Sequence, residues 1–500
     1  MTKKKLFKKV KEKRDQGPNA DERERLFEEC EETVERLLEK QIREGGSFAN
    51  YEKAILEIVH EVARRKLEKK LQGMADRYPD RLAIEHSTDW HGIREEGPRV
   101  YRRHAPGRVA YHSLVGRLWV SRYTYRECSR NGVTYVPLEL DAMLMEHMTP
   151  GLARATAIGY AYMPSRQYAE LMLASGLKPP SRSTLDRTAR DLGAYAVAAN
   201  QEIEPLVRSN ELVHLDARSI ALGLDRTAVP MRAGEYGQAC YERSVRRSRP
   251  KTRSRVRGAV EWRMDYVGTV SVLDSAGKAL TTRTYRLAGE AEPAVIVERM
   301  VADLQHYLGQ RPLPVVVVQD GARELWKVIG EALNREPLVG AWTEVLDWFH
   351  LDERLGKCLD LSTLPINRRE PQRKRWHAKL VETDDGIRDV IRSLQRKAHA
   401  VVPETAIELR QHIDYFKRNK RRACYHSYKA RGLPIGSGIT EGACKSVVGA
   451  RAKRSGQRWS QRGLTAALHL RAVHQSDRFD AFWSFFSRRY QAKNIVQLGL

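Results

Sequence analysis

Cysteines are scarce in this sequence, and none forms a pair at metal-binding spacing. The 500 residues include six cysteines that lie far apart, with no Cys-x-x-Cys pair: Cys30, Cys128, Cys240, Cys358, Cys424 and Cys444. This spacing argues against a disulfide framework and against a zinc knuckle, because both need clustered thiols. It suits a protein of a reducing compartment, and we expect a cytoplasmic one.

Long apolar runs are missing as well. No stretch approaches the roughly 20 apolar residues that a membrane-spanning helix needs. The charged N-terminus is not followed by an apolar core, so a secretory signal is not expected. Hydrophobic residues still make up 41% of the chain, which predicts a globular protein of about three domains.

Acidic residues are outnumbered by basic ones. The chain has 88 Lys and Arg against 63 Asp and Glu, a formal charge of +25. Such an excess is typical of proteins that bind polyanions, and nucleic acid is the partner that we expect. A basic protein without such a partner is the simpler alternative.

The N-terminal part is expected to hold a basic arm, helices and a small β-rich segment. Eight of the first 14 residues are basic, and helical patterns follow up to about residue 100. Within 101–145, aromatic and basic side chains alternate around Trp119 and Tyr123, which predicts strands. Cys128 stands alone there, because Asn131 occupies the place of a second cysteine. One thiol cannot hold zinc, so no zinc is expected.

Residues 146–208 predict three helices in the outline of a helix-turn-helix domain. The third helix is expected to begin at Ser183, with Asp186 placed as in a capping box. Arg187 and Arg190 on this helix are candidate DNA contacts. Many small helical bundles share the same outline, so a purely structural domain is the alternative.

A dense basic run lies farther along the chain, within residues 243–257. It is expected to be extended until it meets phosphates. Its candidate DNA contacts are Arg246, Arg247, Arg249, Lys251 and Arg253.

Three carboxylates stand where phosphoryl-transfer chemistry needs them. Asp216 ends the run 212–215 and Asp320 ends the valine run 315–318, which predicts two buried strands that deliver both side chains to one sheet edge. Glu441 lies in the first turn of a helix after a glycine-rich turn. Two Mg²⁺ or Mn²⁺ ions held by such a set can activate an attacking oxygen and stabilise the leaving one. Asp225 is a rival for the first position, but no clear strand pattern precedes it.

The fold predicted for the second half of the chain is mixed α/β. Residues 209–350 and 431–500 are expected to form one catalytic core, and the last segment also carries a basic C-terminal region. The intervening residues 351–430 are basic, helical in pattern and poor in strand pattern, which predicts an all-α insertion.

Three motifs in this half resemble those of the DDE transposases of bacterial insertion sequences. They are VQDGARELW at 318–326, LDWFH at 346–350 and PIGSGITE at 434–441. The tail RAKRSGQRWS at 451–460, with LRA at 470–472, is similar to the ISKra-type branch of these enzymes. The resemblance covers roughly residues 110–485.

The resemblance implies an RNase H-like core in which Asp216, Asp320 and Glu441 ligate two metal ions. It implies hydrolytic nicking at the ends of an element, followed by attack of the freed 3′-hydroxyl on target DNA. Asp347 and His350 match a D/C-x-x-H motif that precedes such insertions, and we expect them to brace the junction. Many relatives carry a zinc ribbon where this chain has Asn131, and the departure again predicts no zinc.

The predicted partners are double-stranded DNA, at element ends and target, and further copies of the chain in a dimer or larger assembly on DNA. Such a protein would be associated with the nucleoid. Near the C-terminus the candidate DNA contacts are Lys445, Arg451, Lys453, Arg454 and Trp459. Two rival functions stay open: a structure-selective nuclease of the same fold, and a domesticated DNA-binding protein without catalysis.

Overall fold

The structure is a computed structural model that describes residues 31–32, 34–39, 47–84, 99–128, 134–232, 260–287 and 293–496. It is a mixed α/β protein with a mixed sheet, as predicted. Two compact units are present. The first comprises Met1–Ala153, Ser165–Leu185 and Gln491–Leu500, and the second comprises Arg154–Pro164 and Asp186–Tyr490. The predicted basic arm, the basic run at 243–257 and Asn131 lie outside the described residues.

The first unit contains a long helix and a small antiparallel sheet. The helix is α1 (Phe48–Ala75), and the strands lie in the order β1 (Arg81–Ile84), β2 (Arg99–Ser113), β3 (Gly116–Glu127), β4 (Thr134–Tyr135). The strands predicted from the alternating pattern are therefore present. Side chains of α1 bind the open edge of β3: Glu68 accepts from the Trp119 N–H, and Gln72 accepts from the Ser121 N–H, both at 2.9 Å. Helix α1 therefore satisfies backbone groups that an edge strand would leave unpaired.

Helices dominate the next part of the chain, where three helices were predicted. Their bounds are α2 (Pro137–Asp141), α3 (Pro150–Tyr162), α4 (Ser165–Ala174), α5 (Arg182–Ala198) and α6 (Asn200–Arg208). The predicted start at Ser183 with its capping box is wrong. Helix α5 begins at Arg182, and the hydroxyl of Ser181 accepts a hydrogen bond from the Thr184 N–H. Ser181 thus caps the helix, two residues before the cap that the sequence pattern indicated.

The second unit is built on a five-stranded sheet in the order β7-β6-β5-β8-β9. The strands are β5 (Ser219–Arg232), β6 (Val260–Leu273), β7 (Ala279–Leu287), β8 (Val315–Gln319) and β9 (Trp342–Leu346). Strands β5, β6 and β7 are antiparallel neighbours, whereas β8 runs parallel to both β5 and β9. The β5–β6 pairing extends to Arg232 opposite Val260, so the basic run joins the far ends of this long hairpin.

Two apolar cores cover the sheet. Helices α7 (Pro293–Gln310) and α8 (Arg323–Asn334) contribute to one core, with Ile296, Met300 and Trp326 among its buried side chains. The other core joins β8 and β9 to a group of helices through Val316 and Val345. The four valines of β8 are therefore buried, as the apolar run predicted.

The residues between β9 and Glu441 form only helices. These are α9 (Trp348–Asp360), α10 (Ile366–Glu382), α11 (Gly386–Ala398), α12 (Pro403–Asn419), a 3₁₀ turn (Lys420–Arg422) and α13 (Tyr425–Ala430). Buried Trp376, Leu394 and Phe416 link them into the same core as β9. This helical composition agrees with the predicted content of residues 351–430.

The chain returns to the sheet in helix α14 (Gly438–Ala443). That helix continues through a π-helical turn (Cys444–Gly449) into a last α-helical turn, α15 (Ala450–Ala452). Helices α16 (Gln461–Gln475) and α17 (Phe479–Val496) complete the described chain. Among the described helices, none combines the length and apolar character that crossing a bilayer requires.

Candidate active site

Strands β8 and β9 end at the same edge of the second unit's sheet, and the parallel strand β5 continues past them. Strand β5 pairs Leu222 with Val317 of β8, so extending this register by three residues brings Asp225 level with Asp320. Strand β9 pairs Leu346 with Gln319, which places Asp347 beside Asp320. Because these three strands run in the same direction, Asp225, Asp320 and Asp347 lie at one level of the sheet. Asp320 and Asp347 directly follow β8 and β9, whereas Asp225 lies within β5.

An open cavity of about 1010 Å³ lies at this edge. Helix α14 brings Glu441 to it, beside the aspartates of β5 and β8. The charged residues that line the cavity are Asp225, Asp320, Glu353 and Glu441, with Arg226, His350, Lys445 and Lys453. An anionic substrate would therefore meet cations at the rim of a site whose centre carries carboxylates.

Asp225 is half-buried at the point where β5 leaves the paired core. Its carboxylate accepts hydrogen bonds from the Arg226 N–H, at 2.7 Å, and from the thiol of Cys444. Burial raises the pKa of Asp225 despite these bonds, and the nearby charge of Asp320 raises it further. A cation near these two carboxylates would favour their charged forms.

Asp320 is held in place through its backbone as well as its side chain. Its carboxylate accepts from the Ala322 N–H at 2.8 Å, and its carbonyl accepts from the Tyr415 hydroxyl at 2.6 Å. Gly321 has a φ of 88°, and a Cβ on it would lie 2.5 Å from the Tyr415 hydroxyl oxygen. Only glycine fits this turn, so helix α12 approaches the Asp320 loop closely enough to fix it.

The helix that carries Glu441 is packed directly onto the sheet. The Thr440 hydroxyl lies 2.7 Å from the hydroxyl of Thr269 on β6, and both residues are buried. Gly223 on β5 leaves the space that Thr440 occupies, since a Cβ there would lie 2.0 Å from the threonine oxygen. Glu441 itself is half-buried and forms an ion pair of 3.4 Å with the exposed Lys445. The sheet therefore sets the position of this carboxylate.

Asp347 and His350 join β9 to the loop before α14. Asp347 is fully buried and caps α9: its carboxylate accepts from the His350 N–H at 2.7 Å, from the His350 ring, and from the Ser437 N–H. Burial opposes ionisation of Asp347, but the hydrogen bonds from His350 and Ser437 outweigh it and lower its pKa. The predicted brace at the start of the helical segment agrees with these contacts.

The His350 ring is a cation at neutral pH. Its hydrogen bond to Asp347 raises the pKa of His350 to about 9, and the charges of Asp320 and Glu441 act in the same direction. The ring nitrogen Nδ1 lies 3.0 Å from Asp347 Oδ1 and 3.7 Å from Glu441 Oε1. In this arrangement the imidazolium offsets part of the negative charge of the site.

A group of side chains at this edge could hold a metal ion. Asp347, His350 and Glu441 offer donor atoms within 4.8 Å of one another. Metal binding by this group would require His350 to lose the proton that Asp347 stabilises, since only the neutral ring is a ligand. Asp225, Asp320 and Glu441 line the same cavity and offer hard oxygen donors, but among the described residues their donor atoms do not all lie within 4.8 Å of one another.

The predicted placement of Asp216 is wrong. The run 212–215 is not a strand, and Leu212 and Leu215 are each 87% exposed. Asp216 precedes β5, whose paired segment begins at Ile220 opposite Val315, whereas Asp320 follows the far end of β8. Five strand residues rise roughly 16 Å, so Asp216 lies at the opposite edge of the sheet. The rival residue, Asp225, is the aspartate beside Asp320.

The predicted DNA contacts near the C-terminus divide into two groups. Lys445 and Lys453 are exposed and line the cavity. Arg451 is 1% exposed, and its guanidinium donates to the carbonyls of Tyr160 and Met163 and lies 4.6 Å from the centre of the Trp459 ring. Burial lowers the pKa of Arg451 to about 10. Arg451 is thus placed as a packing residue and not as a free surface cation.

Four other predicted contacts show varied surroundings. The indole N–H of Trp459 donates to the Ala452 carbonyl at 3.1 Å and the ring packs against two apolar clusters. Arg454 is exposed but donates to the carbonyl groups of Ala450 and Tyr162. On α5, Arg187 is exposed, and Arg190 pairs with Asp186 at 2.8 Å. DNA binding by these residues stays a prediction.

Comparison with known proteins adds no relative to this picture. No protein-family model matches the chain, and no curated protein matches it.

Proposed function

We propose that the chain is a DNA transposase that performs metal-dependent phosphoryl transfer at Asp225, Asp320 and Glu441. The observation that carries the proposal is the meeting of these carboxylates, from β5, the end of β8 and α14, in one open cavity. The transposase-like motifs at 318–326, 346–350 and 434–441 supply residues to the same cavity.

The donor set suits a hard divalent cation. Carboxylate oxygens are the ligands that Mg²⁺ and Mn²⁺ prefer. Burial, and to a smaller extent the charge of Asp320, raises the pKa of Asp225, as expected for a carboxylate that a cation would stabilise. One or two such ions would activate the attacking oxygen and stabilise the leaving oxygen of a phosphodiester. The protein holds the three carboxylates through Tyr415, Thr269 and the strand register, as described above.

Features around the cavity support a nucleic-acid substrate. Its rim carries Arg226, Lys445 and Lys453, and the whole chain carries a charge of +25. The opening is wide, which suits a duplex or a strand end better than a small metabolite. An RNase H-like core with an all-α insertion is part of the proposal, and the mixed sheet with its helical segment after β9 is compatible with it.

The test compares the three carboxylates of the cavity with Asp216, which lies at the opposite edge of the sheet. We expect Asp225→Asn, Asp320→Asn and Glu441→Gln each to abolish Mg²⁺-dependent nicking of plasmid DNA while DNA binding survives. Pairs of these changes should be little worse than single ones, because residues that act as a unit are not additive. Asp216→Asn is the matched control and should nick normally. Calorimetric titration with Mn²⁺ gives an independent readout: affinity falls in the first three variants only.

Transfer of a labelled 3′-end into plasmid separates transposition from the rival functions. The substrate is a duplex ending in the DNA that flanks this reading frame. Nicking without joining would indicate a nuclease, and no metal-dependent cleavage at all would indicate a DNA-binding protein. Normal nicking by Asp225→Asn together with loss in Asp216→Asn would refute the site.

A further inference from the structure

The small sheet of the first unit carries a row of arginines across three strands. Strand pairing places Arg81 of β1 opposite Arg102 of β2, and Arg102 opposite Arg126 of β3. Residues that are directly opposite in a sheet point to the same face, so the three side chains lie side by side. We call these three residues the arginine row.

The row faces solvent and has no acidic partners in the described chain. Arg81, Arg102 and Arg126 are all exposed, and none forms an ion pair with any described residue. The neighbouring positions Tyr101 and Tyr125 point the other way, are fully buried and pack with further tyrosines. The sheet therefore has an aromatic face that stabilises the fold and a basic face with no evident role in it.

Like charges directly opposite each other destabilise a sheet. Two other arginines of this unit, by contrast, form ion pairs: Arg103 with Asp80 and Arg122 with Glu139. The alignment of three unpaired guanidinium groups costs stability in the free protein and is relieved when a polyanion binds.

We propose that the arginine row binds the phosphate backbone of duplex DNA. Neighbouring strands lie about 4.8 Å apart, so the row spans roughly 10 Å. Successive phosphates of one DNA strand advance about 3.4 Å along the helix axis, so three of them span about 7 Å along the axis, and the long side chains of the row can reach them. Arginine suits this task because its planar guanidinium binds phosphate through paired hydrogen bonds. The row reads no sequence and holds DNA through charge. The inference rests on the proposed function for its choice of DNA.

The test uses the full chain in EDTA, so that catalysis is silent and failure of the proposed enzyme activity does not affect it. A triple variant changes all three residues of the row to Gln. We expect the slope of log affinity against log salt, measured by fluorescence anisotropy with a 30-base-pair duplex, to fall by about 2.7 in magnitude, which is 0.9 for each lost phosphate contact. A triple Lys variant should retain most of the slope.

The matched control removes the same charge elsewhere. Arg36, Arg65 and Arg388 are exposed and each pairs with a nearby acid. Their triple Gln variant should change the slope by less than one unit. Equal effects of the two triple variants would mean that only net charge matters, which would overturn the inference.

Thermal stability without DNA provides a second readout. Because the row is self-repelling, its triple Gln variant should melt about 1–3 °C higher than the parent chain while binding DNA less well. A lower melting temperature would show that the row supports the fold and would refute the proposal. The proposal would also be refuted if the salt slope stayed unchanged for duplex DNA but fell for single-stranded RNA, because the row would then bind another polyanion.

Discussion

Gly223→Ala tests whether the sheet sets the position of the proposed catalytic glutamate. An added Cβ would lie 2.0 Å from the Thr440 hydroxyl oxygen and 3.1 Å from the Thr440 Cβ. Since such atoms pack at about 3.5 Å, the oxygen has to move by roughly 1.5 Å. The side chain can rotate and lose its bond to Thr269, or helix α14 can shift and carry Glu441 with it.

Either response has a predictable size. Loss of the Thr269–Thr440 bond leaves a buried hydroxyl unpaired, which costs about 1–3 kcal/mol, and overpacking costs a similar amount. A displacement of about 1 Å at a catalytic group lowers the rate by roughly 100-fold. We therefore expect Gly223→Ala to melt at a lower temperature and to nick plasmid DNA roughly 100-fold more slowly.

A double-mutant cycle separates this contact from general damage. Thr440→Ala removes the clashing oxygen, so the double variant Gly223→Ala/Thr440→Ala should be more active and more stable than the summed effects of the two single changes predict. We expect a coupling free energy of at least about 1 kcal/mol. Gly442→Ala is the control, because a Cβ there meets nothing within 4 Å. Wild-type nicking and melting of Gly223→Ala would refute the reasoning, and so would a double variant with no recovery.

Three further outcomes follow from the contacts described. Tyr415→Phe removes the hydrogen-bond donor to the Asp320 carbonyl and should slow nicking about tenfold. The control, Tyr428→Phe, loses a similar hydrogen bond to the Glu344 carbonyl and should nick at the normal rate. Equal rates of the two variants would show that Tyr415 does not position the Asp320 loop. His469 is buried, and burial lowers its pKa to about 3 from an ordinary 6.5. As the pH falls, the unfolded chain therefore binds a proton at this histidine before the folded chain does. The stability that the neutral ring contributes is fully present above pH 6.5, and about 1 kcal/mol of it is lost between pH 6.5 and 5.5. His469→Leu should flatten that part of the profile of melting temperature against pH, and an unchanged profile would contradict the buried neutral ring. Changing Arg246, Arg247, Arg249 and Lys251 to Ala should lower the salt slope of DNA binding by up to about 3.6, and no change would mean that this run does not contact phosphates.

The sequence predicts the position of Asp320 well because its surroundings are local. Four consecutive valines form a strand buried on both faces, and the chain turns where the first acidic residue follows. Glu441 is similar, since a glycine-rich turn and the first turn of a helix are adjacent in the chain. Each of these features depends on a few neighbouring residues.

The first aspartate could not be chosen correctly from local pattern alone. Strand β5 is buried over its first six residues, but Ala221 and Gly223 interrupt the apolar pattern that leads to Asp225. Gly223 is small because Thr440, more than 200 residues away in the chain, occupies the space where a side chain would be. The run 212–215 ends directly at Asp216 and has a clearer strand pattern, yet its leucines face solvent. A long-range contact decided between the two aspartates.

The same limit applies to residues that position the site. Tyr415 is 95 residues from the Asp320 carbonyl to which it donates, and Thr269 is 171 residues from Thr440. Neither belongs to a motif, and each would pass for an ordinary core residue. Helical periodicity within 351–430 predicts the helices, but it does not show which of their side chains reaches the end of β8.

The π-helical turn explains why the basic residues after Glu441 have different surroundings. Glu441, Lys445, Gly449 and Lys453 are spaced by four residues and all line the cavity. In a regular α-helix each step of four overshoots a full turn by about 40°, so Lys453 would be rotated by roughly 120° from Glu441. The π-helical turn at Cys444–Gly449 has more residues per turn and so rotates by fewer degrees per residue than an α-helix, which offsets this rotation. The two lysines therefore stay on the side of the carboxylate, while Arg451 is turned into the core. A single basic run in the sequence thus supplies both two lysines that line the cavity and a buried packing cation, and the geometry of the helix separates them.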